Sequence, residues 1–96
     1  MASALRLAAG PLRELRIHLC QKSAESNGVR EFILKDYATL KKNNPEFPIL
    51  VRECSGVSPR IWARYDHGTE TSVSVENSKR EDVLEVVKKL ASNKPS

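Results

Sequence analysis

Long hydrophobic runs are absent from this chain, and none approaches the roughly 20 apolar residues that a membrane-spanning helix needs. The 96 residues are 40% hydrophobic and 29% charged, a balance typical of one globular domain and unlike that of a disordered chain. Cysteine is scarce: only Cys20 and Cys54 are present, too few for a disulfide scaffold and without zinc-site spacing. We therefore expect a compartment in which thiols are usually reduced.

Net positive charge is also small beyond the first residues. Residues 1–22 carry four bases and one acid, a net charge of +3, whereas residues 23–96 carry twelve bases and eleven acids, a net charge of +1. A body so close to neutral argues against a nucleic-acid-binding domain, which usually presents a basic patch. Residues 1–11 are acid-poor and contain Arg6, which fits either a mitochondrial targeting segment or a frayed basic tail.

No catalytic motif is recognisable. Cys20 and Cys54 are separated by 33 residues, whereas thioredoxin-type oxidoreductases use Cys-x-x-Cys at a helix N-terminus. No Gly-rich phosphate loop is present, and His18 and His67 lack paired carboxylates at ligand spacing. The sequence therefore predicts a protein that is not an enzyme and holds no metal or cofactor.

Residues 12–93 show the patterns of a small domain with the order β-α-β-β-β-α. Leu15, Ile17 and Leu19 alternate with polar residues, as in a strand with one buried face. Helical spacing of apolar residues follows and ends before Pro45. The predicted strands lie near 12–20, 49–54, 61–65 and 71–75, and the predicted helices near 29–43 and 83–93.

This order predicts an α/β fold of the thioredoxin-like kind, with a four-stranded mixed sheet and both helices on one face. The β-α-β unit makes the first two strands parallel, and the last two strands form an antiparallel hairpin. Residues 55–59 are too few to hold the helix that usually links the second and third strands. One face of the sheet therefore lacks a cover, in agreement with the polar Arg16 and His18 on the first strand.

Each of the first two strands ends in a cysteine. If the alternating apolar residues face the helices, Cys20 and Cys54 both face the uncovered side at the same sheet edge. Neighbouring strands lie about 4.8 Å apart, within the roughly 4.4–6.8 Å between Cα atoms that a disulfide accepts. This predicts a reversible Cys20–Cys54 bridge. The alternative is two small strand-end residues, which reducing surroundings favour.

The third strand carries the only Trp of the chain. Trp62 and Arg64 share one face of that strand, and Trp, Tyr and Arg are frequent anchors of protein interfaces. If that face is the uncovered one, Arg16, Arg52, Trp62 and Arg64 form a cationic, aromatic docking surface. The alternative is that Trp62 belongs to the core.

Several segments resemble a known family, the thioredoxin-fold accessory subunits of mitochondrial complex I. The most specific are Arg-Glu-Cys-Ser-Gly-Val at 52–57 and Trp-Ala-Arg-Tyr at 62–65. The likeness covers roughly residues 12–92 and includes Leu-Arg-Glu-Leu-Arg-Ile-His-Leu-Cys-Gln at 12–21 and Leu-Lys-Lys-Asn-Asn-Pro at 40–45.

The resemblance implies a non-catalytic subunit of the matrix arm, on the matrix side of the mitochondrial inner membrane and peripheral to it. It implies no cofactor, and partners that are other complex I subunits, chiefly the large iron–sulfur subunit. It also carries the family's two cysteines onto Cys20 and Cys54. Two alternatives stay open: a mitochondrial ribosomal protein of the same domain family, and a protein that responds to thiol–disulfide exchange.

Overall fold

The computed structural model describes residues 6–92. Its four strands are β1 (Leu12–Leu19), β2 (Ile49–Glu53), β3 (Arg60–Tyr65) and β4 (Glu70–Ser74). They form one sheet in the order β2-β1-β3-β4, in which β1 and β2 are parallel and the other neighbours are antiparallel. The predicted mixed four-stranded sheet is confirmed.

The crossover from β1 to β2 is one continuous helix with a change of pitch in its middle. It consists of α1 (Asn27–Phe32), a π-helical segment (Ile33–Tyr37) and α2 (Ala38–Asn43), and the backbone is right-handed helical at both junctions. After β4, the longer helix α3 (Arg80–Ser92) packs against α1. Short 3₁₀ turns occupy Leu7–Ala9, Ala24–Ser26 and Asp66–Gly68.

The core lies between these helices and one face of the sheet. Leu15, Ile17 and Leu19 of β1 are at most 1% exposed, as the alternation predicts. Their partners from the helices include Val29, Phe32, Leu40, Val83, Val87 and Leu90. Both helices therefore cover the same face, which confirms the predicted layering. The Tyr65 hydroxyl closes one end of the core by donating a hydrogen bond to the Leu90 carbonyl at 2.8 Å.

The segment before β1 also contributes to the core. Leu7 is fully buried, and its N–H donates to the Asn44 Oδ1 atom at 3.0 Å. Buried contacts thus begin within the stretch that the sequence analysis assigns to a tail. Residues 1–5 and 93–96 lie outside the described residues, so the targeting role of residues 1–11 and the domain end at residue 93 stay predictions.

Two contacts join the first helix to the region around α3. A Cβ atom added at Gly28 would lie 1.7 Å from the Ser78 carbonyl oxygen, so the backbones meet there as closely as glycine allows. Asp36, in the π-helical segment, accepts hydrogen bonds from Arg80 Nε at 2.6 Å and Nη2 at 3.1 Å. Because Asp36 is only 7% exposed, this ion pair fixes the π-helical segment against α3.

Candidate docking surface and cysteine site

The face of the sheet opposite the helices carries three rows of side chains that run across the strands, and we call it the open face. The strand registers place Glu14, Arg64 and Glu70 in the first row, Leu50, Arg16, Trp62 and Ser72 in the second, and Arg52, His18, Arg60 and Ser74 in the third. All four docking residues of the sequence analysis lie on this face. This follows from the period-2 alternation of side chains along each strand.

The two glutamates of the first row form ion pairs with two of those four residues, Arg16 and Arg64. Arg16 pairs with Glu14 at 3.2 Å and with Glu70 at 2.8 Å. Arg64 Nη2 lies 4.0 Å from the second oxygen of Glu14. Sequence reasoning missed both glutamates as parts of this surface, although Glu14 shares the alternation of Arg16 on β1.

The third row holds arginines without a carboxylate partner. Arg52 is exposed, and Arg60 Nε donates to the neutral Ser72 hydroxyl at 3.1 Å. Within residues 6–92, neither arginine takes part in an ion pair. Sequence reasoning named Arg52 for docking but missed Arg60, which has the same alternation as Trp62 and Arg64.

Trp62 in the second row and His18 in the third row stand side by side. Their ring centroids are 6.3 Å apart, with the planes tilted by 44°. Trp62 is half-buried on the open face and lies outside the core cluster, so the alternative that placed it in the core is wrong. Burial, together with the positive charges of Arg16 and Arg52, lowers the pKa of His18 below 6.5. The imidazole is therefore predominantly neutral at pH 7.

The two cysteines lie just beyond the ends of neighbouring parallel strands. Leu19 is in register with Glu53, and the Cys54 N–H donates to the Leu19 carbonyl at 3.0 Å. Both are free thiols, with Cys54 exposed and Cys20 buried. The expectation of two thiols on an uncovered side is therefore wrong for Cys20, because the turn after β2 covers it.

The Cys20 sulfur lies among backbone N–H donors. The N–H groups of Lys22, Gly56 and Ser23 lower the pKa of this thiol from 9.0 to about 7, because they stabilise the thiolate more than the thiol. The Gly56 nitrogen lies 3.4 Å from the sulfur. The Ser23 hydroxyl adds a smaller effect of the same sign, although it makes no hydrogen bond of full geometry among the described residues.

Arg30 and Ser26 hold the loop that supplies two of these donors. Arg30 donates to the carbonyls of Cys20 and Ser23, each at 2.8 Å. The Ser26 hydroxyl accepts the Cys20 N–H at 3.1 Å and makes no capping bond to α1. The Ser26 hydroxyl therefore fixes the end of β1 rather than the start of α1.

Other kinds of site find no support in the part of the chain that the structure describes. Among residues 6–92, no group of three His, Cys, Asp or Glu side chains could hold a metal ion. None of the helices found there is long and apolar enough to cross a membrane.

Residues 29–80 match the mitochondrial ribosomal protein L51 / S25 / CI-B8 domain, and the chain belongs to this family. It is 49% identical to the mouse protein named NADH dehydrogenase (ubiquinone) 1 alpha subcomplex subunit 2, over 86% of this chain and 84% of that protein. The Arabidopsis thaliana protein of the same name is 47% identical, over 82% and 81%. The Neurospora crassa NADH-ubiquinone oxidoreductase 10.5 kDa subunit is 39% identical, over 85% and 87%.

Proposed function

We propose that this chain is a non-catalytic accessory subunit of mitochondrial complex I, the NADH:ubiquinone oxidoreductase. The observation that carries the proposal is the 39–49% identity, over at least 81% of each chain, to proteins named as subunits of that enzyme. We place it in the matrix arm, on the matrix side of the inner membrane and peripheral to it, where it supports assembly or stability.

The open face is its docking surface in this proposal. Arg16, Arg52, Trp62 and Arg64 contact other complex I subunits, chiefly the large iron–sulfur subunit. Trp and Arg supply large contact area and directional hydrogen bonds, and within residues 6–92 the helices pack on the opposite face of the sheet. Arg52 is exposed, so Arg52→Glu should not unfold the domain. We expect this variant to weaken incorporation into the complex, and unchanged incorporation would refute the docking role.

A reversible Cys20–Cys54 bridge is a separate part of the proposal. The strand register and the lowered pKa of Cys20 favour it, whereas Cys20 is buried and its sulfur accepts a hydrogen bond from Gly56 in the reduced protein. Glutathione disulfide serves as the oxidant: two protein thiols become one disulfide, and two glutathione thiols are released. Mass spectrometry of alkylated, unreduced protein tests this, and full labelling of both thiols after oxidation would reject the bridge.

The subunit assignment is tested by tagging the chain in its own cells, solubilising the mitochondria gently and staining a native gel for NADH dehydrogenase activity. Co-migration with the large NADH-active band is the expected result. Migration as a free small protein would instead favour the thiol–disulfide alternative.

A second candidate, a mitochondrial ribosomal protein, follows from the name of the domain family. Its RNA contacts would require a basic surface, whereas residues 23–96 carry a net charge of only +1. Co-sedimentation with ribosomal particles would establish this candidate in place of complex I.

A further inference from the structure

We propose that Arg52, His18 and Arg60, in the third row of the open face, bind an acidic segment of a neighbouring protein subunit. This inference rests on the proposed docking surface and specifies which part of it makes the decisive contact and with what chemistry. Within that surface, the decisive contact falls to Arg52 and Arg60 rather than to Arg16 and Arg64.

Unmatched charge is the first argument. Arg16 and Arg64 already share the carboxylates of Glu14 and Glu70, so a partner would have to compete with bonds that exist in the free domain. Arg52 and Arg60 have no such pair within residues 6–92, and Arg60 reaches only the Ser72 hydroxyl. A partner carboxylate gains a charge-assisted hydrogen bond there without breaking an ion pair.

The spacing of the row is the second argument. Arg52 is the partner of His18 in the β1–β2 register, and Arg60 is its partner in the β1–β3 register. The two arginines therefore flank His18, with Cα atoms separated by two strand spacings, roughly 10 Å. His18 between them is predominantly neutral at pH 7, because nearby positive charges and burial oppose its protonation. An acidic segment thus meets two cations with an uncharged hydrogen-bonding ring between them.

The neighbouring second row is what makes a protein segment the favoured occupant. Leu50 and Trp62 lie next to the arginines and offer apolar contact at the rim of the charged row. An RNA strand would require a broader basic surface, whereas residues 23–96 carry a net charge of only +1. The mixed apolar and cationic surface therefore matches an acidic polypeptide better than a nucleic acid.

Carbodiimide coupling of the assembled complex tests the contact directly. The variants Arg52→Lys and Arg60→Lys keep the positive charge and supply an amine, which forms an amide with a touching, activated carboxylate. Arg64→Lys is the matched comparison on the same face, and native Lys42, exposed on α2, is the comparison on the helix side. Each variant is first assembled into the NADH-active complex, then coupled, digested and analysed by mass spectrometry.

The expected result is an amide from position 52 or 60 to an Asp or Glu of another subunit, and from position 64 at most a link to Glu14 of this chain. If the complex assembles but the intermolecular amides come only from other positions, or from none, this inference is wrong and the proposed function stands. Ultraviolet cross-linking of the open face to RNA would also overturn it. Failure of the wild-type chain to enter the NADH-active band rejects the proposed function itself, and the inference with it.

Charge reversal gives a second, independent measurement. In competition with wild-type protein, the double variant Arg52→Glu/Arg60→Glu should incorporate at least about tenfold less, because two cation–carboxylate contacts become repulsive. Lys42→Glu changes charge on the helix side and should compete equally with wild type. Equal incorporation of the double variant would contradict the inference.

Discussion

The Gly56 amide nitrogen lies 3.4 Å from the Cys20 sulfur, so the turn after β2 both covers this thiol and donates a hydrogen bond to it. Gly56 has φ +79°, a backbone conformation that glycine adopts at little cost. The chain thereby buries one thiol against N–H donors while its neighbour Cys54 stays exposed. The two cysteines of this fold are chemically unequal.

We expect the Cys20 thiol to titrate with a pKa of about 7. In a Cys54→Ser variant, the thiolate absorbance in the ultraviolet should rise with a midpoint near that pH in the folded state. The same variant in denaturant should show a midpoint near 9, because the backbone donors are then lost. Identical midpoints in the two states would contradict the assigned cause.

The same shift fixes the sign of a pH dependence. Since the folded state lowers the pKa of Cys20, it favours the thiolate, and this contribution to stability is fully present above pH 9. It is lost as the pH falls toward 7. The free energy of unfolding of the Cys54→Ser variant should therefore rise between pH 7 and 9 relative to that of a Cys20→Ser/Cys54→Ser variant, as measured by urea denaturation.

His18 should titrate below its ordinary pKa of 6.5. Arg52→Glu removes one of the opposing positive charges and adds a negative one, so it should raise this pKa, as followed by NMR of the imidazole. Lys42→Glu on the helix side is the control and should leave it unmoved. Because the folded state disfavours the protonated His18 ring, the domain is more stable above pH 6.5, where the ring is neutral, and the free energy of unfolding declines as the pH falls below that value.

Leu7→Ala should destabilise the domain by about 2–4 kcal/mol, since a fully buried leucine leaves a cavity. Arg6→Ala, at an exposed neighbour, should change the free energy of unfolding by less than about 0.5 kcal/mol. Urea denaturation measures both.

We also expect the intact mass of the protein from mitochondria to show that Leu7 is retained. A mature chain that starts after residue 11 would contradict the core role of Leu7.

Gly28→Ala should destabilise by about 1–3 kcal/mol or more, although alanine is the better helix former. The added Cβ would lie 1.7 Å from the Ser78 carbonyl oxygen, so the backbone must move. Gly56→Ala is an informative comparison because no atom lies within 4 Å of its new Cβ. Its cost comes only from the positive φ, roughly 1–2 kcal/mol, and a harmless Gly28→Ala would refute the close approach.

Alternation along the strands carried most of the correct predictions. It assigned Leu15, Ile17 and Leu19 to the core and put Trp62 and Arg64 on one shared face of their strand, because side chains on a strand alternate strictly. Whether that face was the open one was left undecided by the alternation. The helical spacing of apolar residues located the crossover helix, and Pro45 located its end, because both signals depend only on local backbone geometry.

What the sequence left out depends on contacts between distant segments. The pairing of Arg16 with Glu70 requires the β3–β4 register, and the cover over Cys20 requires the turn at Gly56. By sequence alone Leu7 belongs to a tail, and the contact that places it in the domain comes from the distant Asn44, whose side chain accepts its N–H. The π-helical segment at Ile33–Tyr37 leaves no clear mark in the apolar spacing.

Depletion followed by rescue tests most directly whether this chain, as we propose, supports complex I without taking part in its chemistry. We predict that depletion lowers the amount of assembled, NADH-active complex I, with activity per assembled complex unchanged. Wild-type chain should restore the amount, and Arg52→Glu/Arg60→Glu should not. Normal complex I levels after depletion, with ribosomal particles lost instead, would contradict the account.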